Sequence, residues 1–286
     1  MSWQAFETYA PAKWVLAGEH AVLRGATAIA IPHSGLGLKL KFDPNGAKNS
    51  SFEVTPKSAE SLIVDLLKAV DDSLPFPGFP RGLLQLEGNI PSGAGFGSSA
   101  ALCVALTRWL SGPLGISARD ESDFATRLEH RFHGRSSGMD VAVCALGEPI
   151  AFSMEKGAQS LGIRRFPRFT FHDTGLRART SECVLRVEKF REESPVLASQ
   201  TDESMALAAR ESMEGLFLFD AGSHERGLTL IGQAMKRSQE CFLTWGLVPA
   251  PVQRLIEQVC SQGALAARLT GAGGGGFVVA LWPPSN

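Results

Sequence analysis

Hydrophobic periodicity divides the first third of the chain into strands and one helix. Residues 36–42 (LGLKLKF) alternate between apolar and polar positions, which predicts a half-buried strand. The apolar stretches within residues 13–32 predict two further strands, joined by a turn that contains Gly18, Glu19 and His20. After Ser58 the apolar residues follow a helical spacing along one face: Leu62, Ile63, Leu66, Leu67 and Val70.

A glycine-rich loop separates a strand from three helices in the middle of the chain. Residues 83–91 predict a strand that ends in a turn, and the helix after the loop carries Leu102, Ala105, Leu106 and Trp109 on one side. A second helix is expected from about residue 118, with Ser117 as its N-cap and Asp120 in a variant capping box. Its apolar face carries Phe124, Leu128 and Phe132. A turn then leads into a short helix at 141–147.

The second half of the chain begins with a strand at 168–175 and continues with helices. Helical spacing covers 201–219, 225–243 and 251–260, and two strands at 264–270 and 277–282 flank a glycine turn. Strands followed by helices in each half indicate an α+β fold rather than a doubly wound parallel sheet. The segment 147–157, with two glycines and a proline, is the expected domain junction, so we predict domains at 1–155 and 156–286.

Composition narrows the class of protein. The 286 residues carry 28 basic and 29 acidic side chains, which argues against nucleic acid or an anionic membrane as a partner. No apolar run reaches transmembrane length and the N-terminal segment does not resemble a signal peptide, so we expect no membrane association. Five dispersed cysteines without a CxxC pair argue against disulfides and zinc, and favour the cytoplasm.

The segment PSGAGFGSSAAL is the strongest candidate for chemistry. Gly93, Gly95 and Gly97 would let backbone N–H groups approach an anion closely, and Ser98 and Ser99 begin a helix whose N-terminus favours phosphate. A serine hydroxyl at this position can also ligate Mg²⁺. The alternative is a plain connector with a serine N-cap. No Walker motif occurs in the chain.

Two other motifs are formal matches only. GAGGGG satisfies GxGxxG at Gly271, Gly273 and Gly276, but a strand follows it where a dinucleotide fingerprint requires a helix. It is either a flexible hairpin turn or a backbone segment that passes close to a ligand. Residues 134–138 satisfy GxSxG, but the hydrolase motif needs a preceding strand and here a helix precedes it.

Three charged side chains suit phosphoryl transfer. Glu129 and Asp140 lie eleven residues apart across a turn, so that one could hold Mg²⁺ while the other orients or deprotonates an attacking hydroxyl. Lys13 interrupts an apolar strand and could hold a transferring phosphoryl group. The structural alternatives are surface carboxylates and an edge-strand lysine that reaches water. Glu19 and His20, in the following turn, are weaker candidates.

Taken together and in this order, three segments resemble the motifs of the GHMP kinases. They are APAKWVLAGEHAVLRG, PSGAGFGSSAA and LTGAGGGGFVVAL, and the resemblance spans residues 10–282. GEHAVLRG is most similar to the mevalonate kinase branch of that family, as is EHRFHGRSSGMDVAV. FHDTGLRARTSECV also looks like a family stretch, with matches at Asp173, Thr174, Gly175 and Thr180.

The resemblance implies a two-domain α+β GHMP kinase fold, with an N-terminal domain like ribosomal protein S5 domain 2 and a ferredoxin-like C-terminal domain. It also implies that ATP and Mg²⁺ are used. The nucleotide-binding positions carried over from the family are Gly93, Gly95, Gly97, Ser98, Ser99, Gly273 and Gly274. Ser99 and Glu129 are the implied Mg²⁺ ligands.

The resemblance further implies phosphorylation of a small alcohol, with mevalonate as the expected acceptor. Asp140 would take the proton of the acceptor hydroxyl, and Lys13 would hold that hydroxyl and the γ-phosphate. Glu19 and His20 would lie toward the acceptor. A homodimer is compatible with the family.

Some positions depart from the family pattern. They are Ala12, Thr27, Ser136 and Val141, and the sequence ends soon after the third motif, so we expect an abbreviated second domain. Two alternatives stay open. The acceptor could be phosphomevalonate, homoserine or a sugar, or the chain could be a non-catalytic relative that binds a nucleotide or metabolite.

Overall fold

The computed structural model describes residues 3–48, 51–71, 78–91, 93–133 and 137–284. The chain forms two compact units that are interleaved along the sequence. The first comprises Met1–Ala12, His33–Pro91 and Gly97–Gly147, and the second comprises Lys13–Pro32, Ser92–Phe96 and Glu148–Asn286. The division into family domains at residue 155 stays a prediction.

The first unit contains a sheet covered by helices. Its strands are β2 (Ala28–Asp43, through its C-terminal half), β3 (Phe52–Thr55) and β4 (Gly82–Gly88). The strand β4 pairs antiparallel with β2 and parallel with β3. The alternation at 36–42 is confirmed, since Leu40 and Phe42 are buried while Lys41 is exposed. The helices are α1 (Glu60–Asp71), α2 (Ser98–Leu114), α3 (Glu121–His133) and α4 (Met139–Leu146).

The core of the first unit forms where these helices bury their apolar faces. Ile63 and Leu67 from α1 join Leu106 and Trp109 from α2 in one cluster with the sheet residue Phe42. Burial of such side chains contributes roughly 1.5–3 kcal/mol each. The helix α2 is buried on most sides, because α3 and α4 both pack on it.

The second unit combines strand pairs with a layer of helices. Its strands are β1 (Phe6–Ala17, from Lys13), the N-terminal part of β2, β5 (Ile150–Ser153), β6 (Gly157–Ser160), β7 (Phe169–Asp173), β8 (Ala266–Thr270) and β9 (Phe277–Leu281). The strands β7, β9 and β8 form an antiparallel sheet in that order. A short 3-10 turn, Ala21–Arg24, follows β1.

The helices of the second unit are α5 (Thr180–Glu193), α6 (Pro195–Asp220), α7 (His224–Thr244) and α8 (Ala250–Ser261). The two longest, α6 and α7, pack tightly where two glycines face each other. A Cβ on Gly227 would lie 2.8 Å from the Gly215 carbonyl oxygen, and one on Gly215 would lie 2.7 Å from Ile231. The missing side chains therefore let the backbones approach.

Several element boundaries differ from the sequence predictions. The two strands expected in residues 26–42 are one strand of sixteen residues, β2. The third helix begins at Glu121 rather than near residue 118, because Ser117 and Asp120 form a turn in which the Ser117 hydroxyl donates to Asp120 Oδ2 at 2.6 Å. The expected junction at 147–157 overlaps the β5–β6 hairpin, which runs from Ile150 to Ser160.

Four elements were missed and one was placed too late. The strands β3, β5 and β6 and the helix α5 were not predicted, and α6 begins at Pro195 rather than at residue 201. The helix α5 buries only Cys183 and Val187, so its apolar stripe is too thin to detect. The Phe132 side chain and residues 134–136, which include the GxSxG match and Ser136, lie outside the described residues.

Candidate active site

The glycine loop alternates between buried anchors and exposed glycines. Ala94 and Phe96 are buried, and the Phe96 ring packs against Phe277 at a centroid distance of 4.4 Å. Gly93 and Gly95, which alternate with these two residues, are exposed and have φ values of 66° and 81°. A Cβ on either glycine would meet nothing closer than 3.7 Å. The loop therefore leaves its backbone exposed at these two glycines, and its role in phosphate binding stays a prediction.

The loop leads directly into α2, which lies in the first unit. Gly97 is the N-cap residue with φ 71°, and it caps the helix without a side-chain hydrogen bond. Ser98 is exposed and Ser99 is half-buried in the first turn. Helix N-terminal N–H groups favour an anion, and the two hydroxyls lie at that end of α2.

In the first unit, Glu129 lies close to the face of α2 that carries Ser99. Glu129 projects from α3 and its side chain is 2% exposed. Burial and then the Glu129 charge raise the pKa of the Cys103 thiol on α2. Since Ser99 and Cys103 are four residues apart, they share one helix face. The charge of Glu129 therefore acts on the face of α2 that also carries Ser99.

Asp140 occupies the first turn of α4, also in the first unit. Gly138 is the N-cap, with φ 82°, and a Cβ there would lie 3.4 Å from Thr126 Oγ1 on α3. Thr126 is one turn before Glu129. The start of α4 therefore lies beside the segment of α3 that carries the buried carboxylate, and Asp140 itself is half-buried.

Lys13 lies on β1 in the second unit and is joined to the glycine loop through its backbone. Its N–H donates to the Phe96 carbonyl oxygen at 3.0 Å. The Lys13 side chain is only 4% exposed, which excludes a lysine that simply reaches bulk water. A buried ammonium group requires compensating partners, so this position is unusual for lysine.

The third glycine segment packs directly on the glycine loop within the second unit. A Cβ on Gly276 would lie 2.8 Å from the Ala94 carbonyl oxygen, and one on Gly271 would lie 3.5 Å from the Gly95 Cα. Glycine at 276 is needed for this close approach of two backbones, whereas a Cβ at 271 would make an ordinary van der Waals contact. This contact favours the interpretation that the segment is a shaped element rather than a loose hairpin.

Gly273 and Gly274 make different contacts from their neighbours. A Cβ on Gly273 would lie 2.8 Å from Leu247, and one on Gly274 would lie 2.6 Å from Ala178. The Gly274 N–H donates to the Leu247 carbonyl oxygen at 2.8 Å. Both positions therefore need glycine for internal packing, and their role in nucleotide binding stays a prediction.

Glu19 is buried against Arg268 of β8. Arg268 Nη2 donates to Glu19 Oε1 at 2.7 Å, and the two side chains are 0% and 5% exposed. Burial raises the pKa of the Glu19 carboxyl, while the Arg268 charge acts in the opposite direction. Within the described chain, Glu19 Oε2 has no hydrogen-bond partner. Arg268 thus holds one carboxylate oxygen, the backbone N–H groups of Glu19 and Gly271 also act on the carboxyl, and Oε2 is a buried acceptor.

His20 lies beside the third glycine segment. Its Nε2 is 2.8 Å from the Ala272 carbonyl oxygen, and its ring packs against Trp245 and Phe242 at 5.2 and 6.0 Å. Burial lowers the pKa of His20 to about 4. His20 is therefore neutral near pH 7, and Nε2 must carry the proton that is donated to the carbonyl.

Comparison with known proteins gives the family. The sequence profile of the GHMP kinases N terminal domain matches residues 61–148, and that of the GHMP kinases C terminal domain matches residues 220–286. The mevalonate kinase of Aeropyrum pernix is 30% identical, with 98% of this chain and 89% of that protein covered. The chain belongs to the GHMP kinase family. The mevalonate kinase of Pyrococcus horikoshii is 29% identical over 96% of this chain and 88% of its own.

The fold of this GHMP kinase is also that of solved relatives. The crystal structure of L. major mevalonate kinase in complex with R-mevalonate has a TM-score of 0.77 at 23% identity, and covers 98% of this chain and 88% of that chain. The two-domain α+β GHMP kinase fold expected from the sequence is confirmed. In the described residues no helix is both long enough and apolar enough to cross a membrane.

The sequence reasoning missed two residues of this GHMP kinase that organise the site. Arg268 holds Glu19, and Thr270 bridges to β1 by accepting from the Val15 N–H at 3.1 Å and donating to its carbonyl oxygen at 2.8 Å. Both lie on β8, Arg268 just before the third motif and Thr270 within it. The sequence did contain a signal for Arg268, because an arginine in an otherwise apolar strand is as unusual as Lys13 in β1.

The family stretch around Asp173 forms a support for the third motif. The Thr174 hydroxyl donates to the Gly276 carbonyl oxygen at 2.9 Å. Asp173 accepts from both Arg177 Nη atoms, at 2.7 and 2.8 Å, and the hydrogen bonds from Arg177 lower the pKa of Asp173 to about 2. Arg177 also lies next to the glycine loop, since its Cδ is 3.8 Å from a Cβ built on Gly93.

Proposed function

We propose that this GHMP kinase uses ATP and Mg²⁺ to phosphorylate the primary hydroxyl of mevalonate, giving 5-phosphomevalonate. The observation that carries the reaction type is the position of Glu129 beside the α2 face that carries Ser99, directly after an exposed glycine loop. The choice of acceptor rests on the curated relatives, which are named mevalonate kinases and align over nearly the whole chain.

The nucleotide phosphates would bind at the glycine loop and the start of α2. Gly93 and Gly95 leave the backbone accessible, and the first-turn N–H groups after Gly97 offer hydrogen bonds to phosphate oxygens. Ser98 lies at the exposed edge of this turn. Gly273 and Gly274 would support the loop from the third motif.

The donor set fits Mg²⁺. Ser99 and Glu129 supply a hydroxyl and a carboxylate oxygen, the hard ligands that Mg²⁺ prefers. Among the described residues no group of three or more His, Cys, Asp or Glu side chains could hold a metal by itself. Phosphate and water oxygens would therefore complete the coordination, as is usual for Mg²⁺ bound with a nucleotide. Bound there, the ion would neutralise charge on the phosphates.

Lys13 and Asp140 are assigned the transfer step. The Lys13 ammonium group would hold the γ-phosphate and the acceptor oxygen, and its burial would strengthen that attraction. Asp140 would accept the proton of the acceptor hydroxyl as the oxygen attacks phosphorus. Positioning and charge neutralisation supply most of the acceleration in such reactions.

Glu19 and His20 are assigned to the acceptor. Glu19 Oε2 is buried without a partner in the described chain and can accept a hydrogen bond from a hydroxyl group. In His20 the Nε2 proton is donated to Ala272, which leaves Nδ1 as an acceptor. Two fixed acceptors suit a substrate that carries more than one hydroxyl.

The proposal is tested by ADP release from MgATP with mevalonate, phosphomevalonate, homoserine and galactose as acceptors. Turnover with mevalonate alone would support both the reaction and the substrate. Turnover with another acceptor would keep the kinase and replace the substrate. ATP binding without ADP release for any acceptor would overturn the kinase proposal and favour a non-catalytic binding protein.

We also assign the protein to the cytoplasm, because all five cysteines are free thiols. A homodimer stays a prediction, and light scattering of the purified protein would test it.

A further inference from the structure

Arg268 is a fully buried arginine that contacts three parts of the second unit. Its Nη2 donates to Glu19 Oε1 at 2.7 Å, and its Nη1 donates to the carbonyl oxygens of Leu16 and Val15 at the end of β1. Its guanidinium carbon lies 5.0 Å from the centroid of the Phe242 ring. One side chain therefore joins β8, the end of β1 and the turn after it.

The ion pair between Arg268 and Glu19 is costly and only partly hydrogen-bonded. Removing two charges from water costs free energy that their attraction often fails to recover. Within the described residues, Glu19 Oε2 and Arg268 Nε have no hydrogen-bond partners. A purely structural pair would be expected to satisfy these atoms. The arrangement holds one carboxylate oxygen on Arg268 and leaves the other as a buried acceptor, which a bound hydroxyl group would satisfy.

We infer that Arg268 is a positioning residue for the acceptor: it holds Glu19 as a carboxylate through Oε1, directs Oε2 to the acceptor hydroxyl, and fixes this carboxylate to the strand that carries Lys13. The inference rests on the proposed function for the identity of the acceptor. The orientation and ionisation of Glu19 are properties of the chain alone.

The other charged and titratable groups around this turn allow the ionisation of Glu19 to be tested by changing the pH. Burial lowers the pKa of His20 to about 4 and raises that of Cys241, on α7, to about 11. Arg24 of the 3-10 turn is paired with Asp202 of α6 at 2.5 Å. Arg268 is the charge that opposes the burial of Glu19, so its loss would raise the pKa of the Glu19 carboxyl further.

The activity test compares Arg268→Gln, Arg268→Lys and Glu19→Gln with the unmodified protein, from pH 5.5 to 9.5. For Arg268→Gln, kcat/KM for mevalonate should fall by roughly 100-fold at pH 7 while KM for ATP changes less than about threefold. The acid limb of its profile should move to higher pH by about one unit or more. Arg268→Lys should restore the position of that limb, and Glu19→Gln should remove it. If the acid limb of the pH profile for Arg268→Gln stayed at the same pH as in the unmodified protein, the inference would be overturned.

A second measurement does not depend on turnover. Glu19 is titrated by carboxyl ¹³C NMR, with the signal assigned by its absence in Glu19→Gln. The midpoint should lie higher in Arg268→Gln than in the unmodified protein, and an equal midpoint would overturn the inference. If the unmodified protein phosphorylated no acceptor, the proposed function would fail while this titration would still decide the effect of Arg268.

A double variant covers the case in which Arg268→Gln does not fold. Glu19→Gln with Arg268→Met removes both charges and leaves apolar packing against Phe242. It should retain the kcat/KM of Glu19→Gln, while its unfolding temperature should be lower because the hydrogen bonds to the Leu16 and Val15 carbonyl oxygens are lost. A further loss of about tenfold or more beyond Glu19→Gln would show that Arg268 acts elsewhere, and would overturn the inference.

Discussion

His20 Nε2 lies 2.8 Å from the carbonyl oxygen of Ala272, so the first GHMP motif is hydrogen-bonded to the third. The two residues are 252 positions apart in the chain. The carbonyl oxygen can only accept, so Nε2 carries the proton, and the contact holds His20 in a turn with φ 58°. A residue with positive φ that is not glycine is uncommon and is retained when the surrounding contacts enforce it.

The first prediction concerns stability in acid. The pKa of His20 is about 4 in the folded protein, below the 6.5 of an ordinary histidine, so the unfolded chain binds more protons between these values. The free energy of unfolding should therefore decrease as the pH falls from 6.5 to 4, by about 3 kcal/mol from His20. Denaturant unfolding across this range should show a smaller decrease for His20→Asn.

Two other titratable groups also contribute to the pH dependence of stability and serve as controls in that experiment. Burial also lowers the pKa of His33. The variant His33→Asn should therefore reduce the pH dependence of the free energy of unfolding, but less than His20→Asn does. The raised pKa of Glu19 acts with the opposite sign, because its stabilising effect is lost as the pH rises. A constant difference between the unmodified protein and His20→Asn from pH 7 to 4 would contradict the assigned ionisation.

The second prediction concerns the proposed base. Asp140→Asn should lower kcat by about 10²–10⁴-fold, because the amide cannot accept the hydroxyl proton, while ATP affinity stays within about threefold. Steady-state ADP release and calorimetric ATP titration measure the two effects. Asp123→Asn, at an exposed position on α3, is the matched control and should retain turnover. Near-normal turnover in Asp140→Asn would remove it from the transfer step.

The third prediction concerns the metal ligands. Glu129→Gln and Ser99→Ala should each raise the concentration of free Mg²⁺ needed for half-maximal turnover by about tenfold or more, since each loses one oxygen ligand. ADP release is measured against free Mg²⁺ at fixed ATP. Glu121→Gln, on the same helix, should behave like the unmodified protein. If Glu129→Gln kept the original Mg²⁺ dependence, the carboxylate would not belong to the metal site.

The fourth prediction separates ligand contact from backbone strain. Gly95 and Gly157 have φ values of 81° and 66°, and alanine at either should cost roughly 1–2 kcal/mol of stability. Only Gly95→Ala places a methyl group in the candidate phosphate loop, so only that variant should raise KM for ATP, by about tenfold or more. Thermal unfolding and ATP kinetics measure the two effects. If both variants had the same KM for ATP, the assignment of Gly95 to a phosphate-binding loop would be wrong.

Local patterns in the sequence were sufficient to predict most helices and strands that have a strong apolar face. The alternating strand at 36–42 and the helix after Ser58 both appear in the structure close to their predicted positions. The helix α5 was missed because only Cys183 and Val187 face the interior. The continuous strand β2 was predicted as two pieces, since Pro32 and the polar residues after it interrupt the apolar pattern.

The candidate site likewise contains features that can be recognised along the sequence and contacts between distant residues that cannot. The glycine loop could be recognised because closely spaced glycines before a helix have few structural explanations. Arg268 was missed because its partner, Glu19, is 249 residues earlier in the chain. Periodicity describes neighbours along the chain and cannot pair such residues. The approach of Gly276 to Ala94 is likewise visible only in three dimensions.

The most direct test of the central claim is to identify the product. The purified protein is incubated with MgATP and mevalonate, and ³¹P NMR and mass spectrometry follow the phosphorus atoms. We predict one phosphomonoester on the primary hydroxyl of mevalonate for each ADP formed, with the signal lost in Asp140→Asn. ADP without a phosphorylated acceptor, or bound ATP that is never consumed, would contradict the assignment of this chain as a mevalonate-phosphorylating kinase.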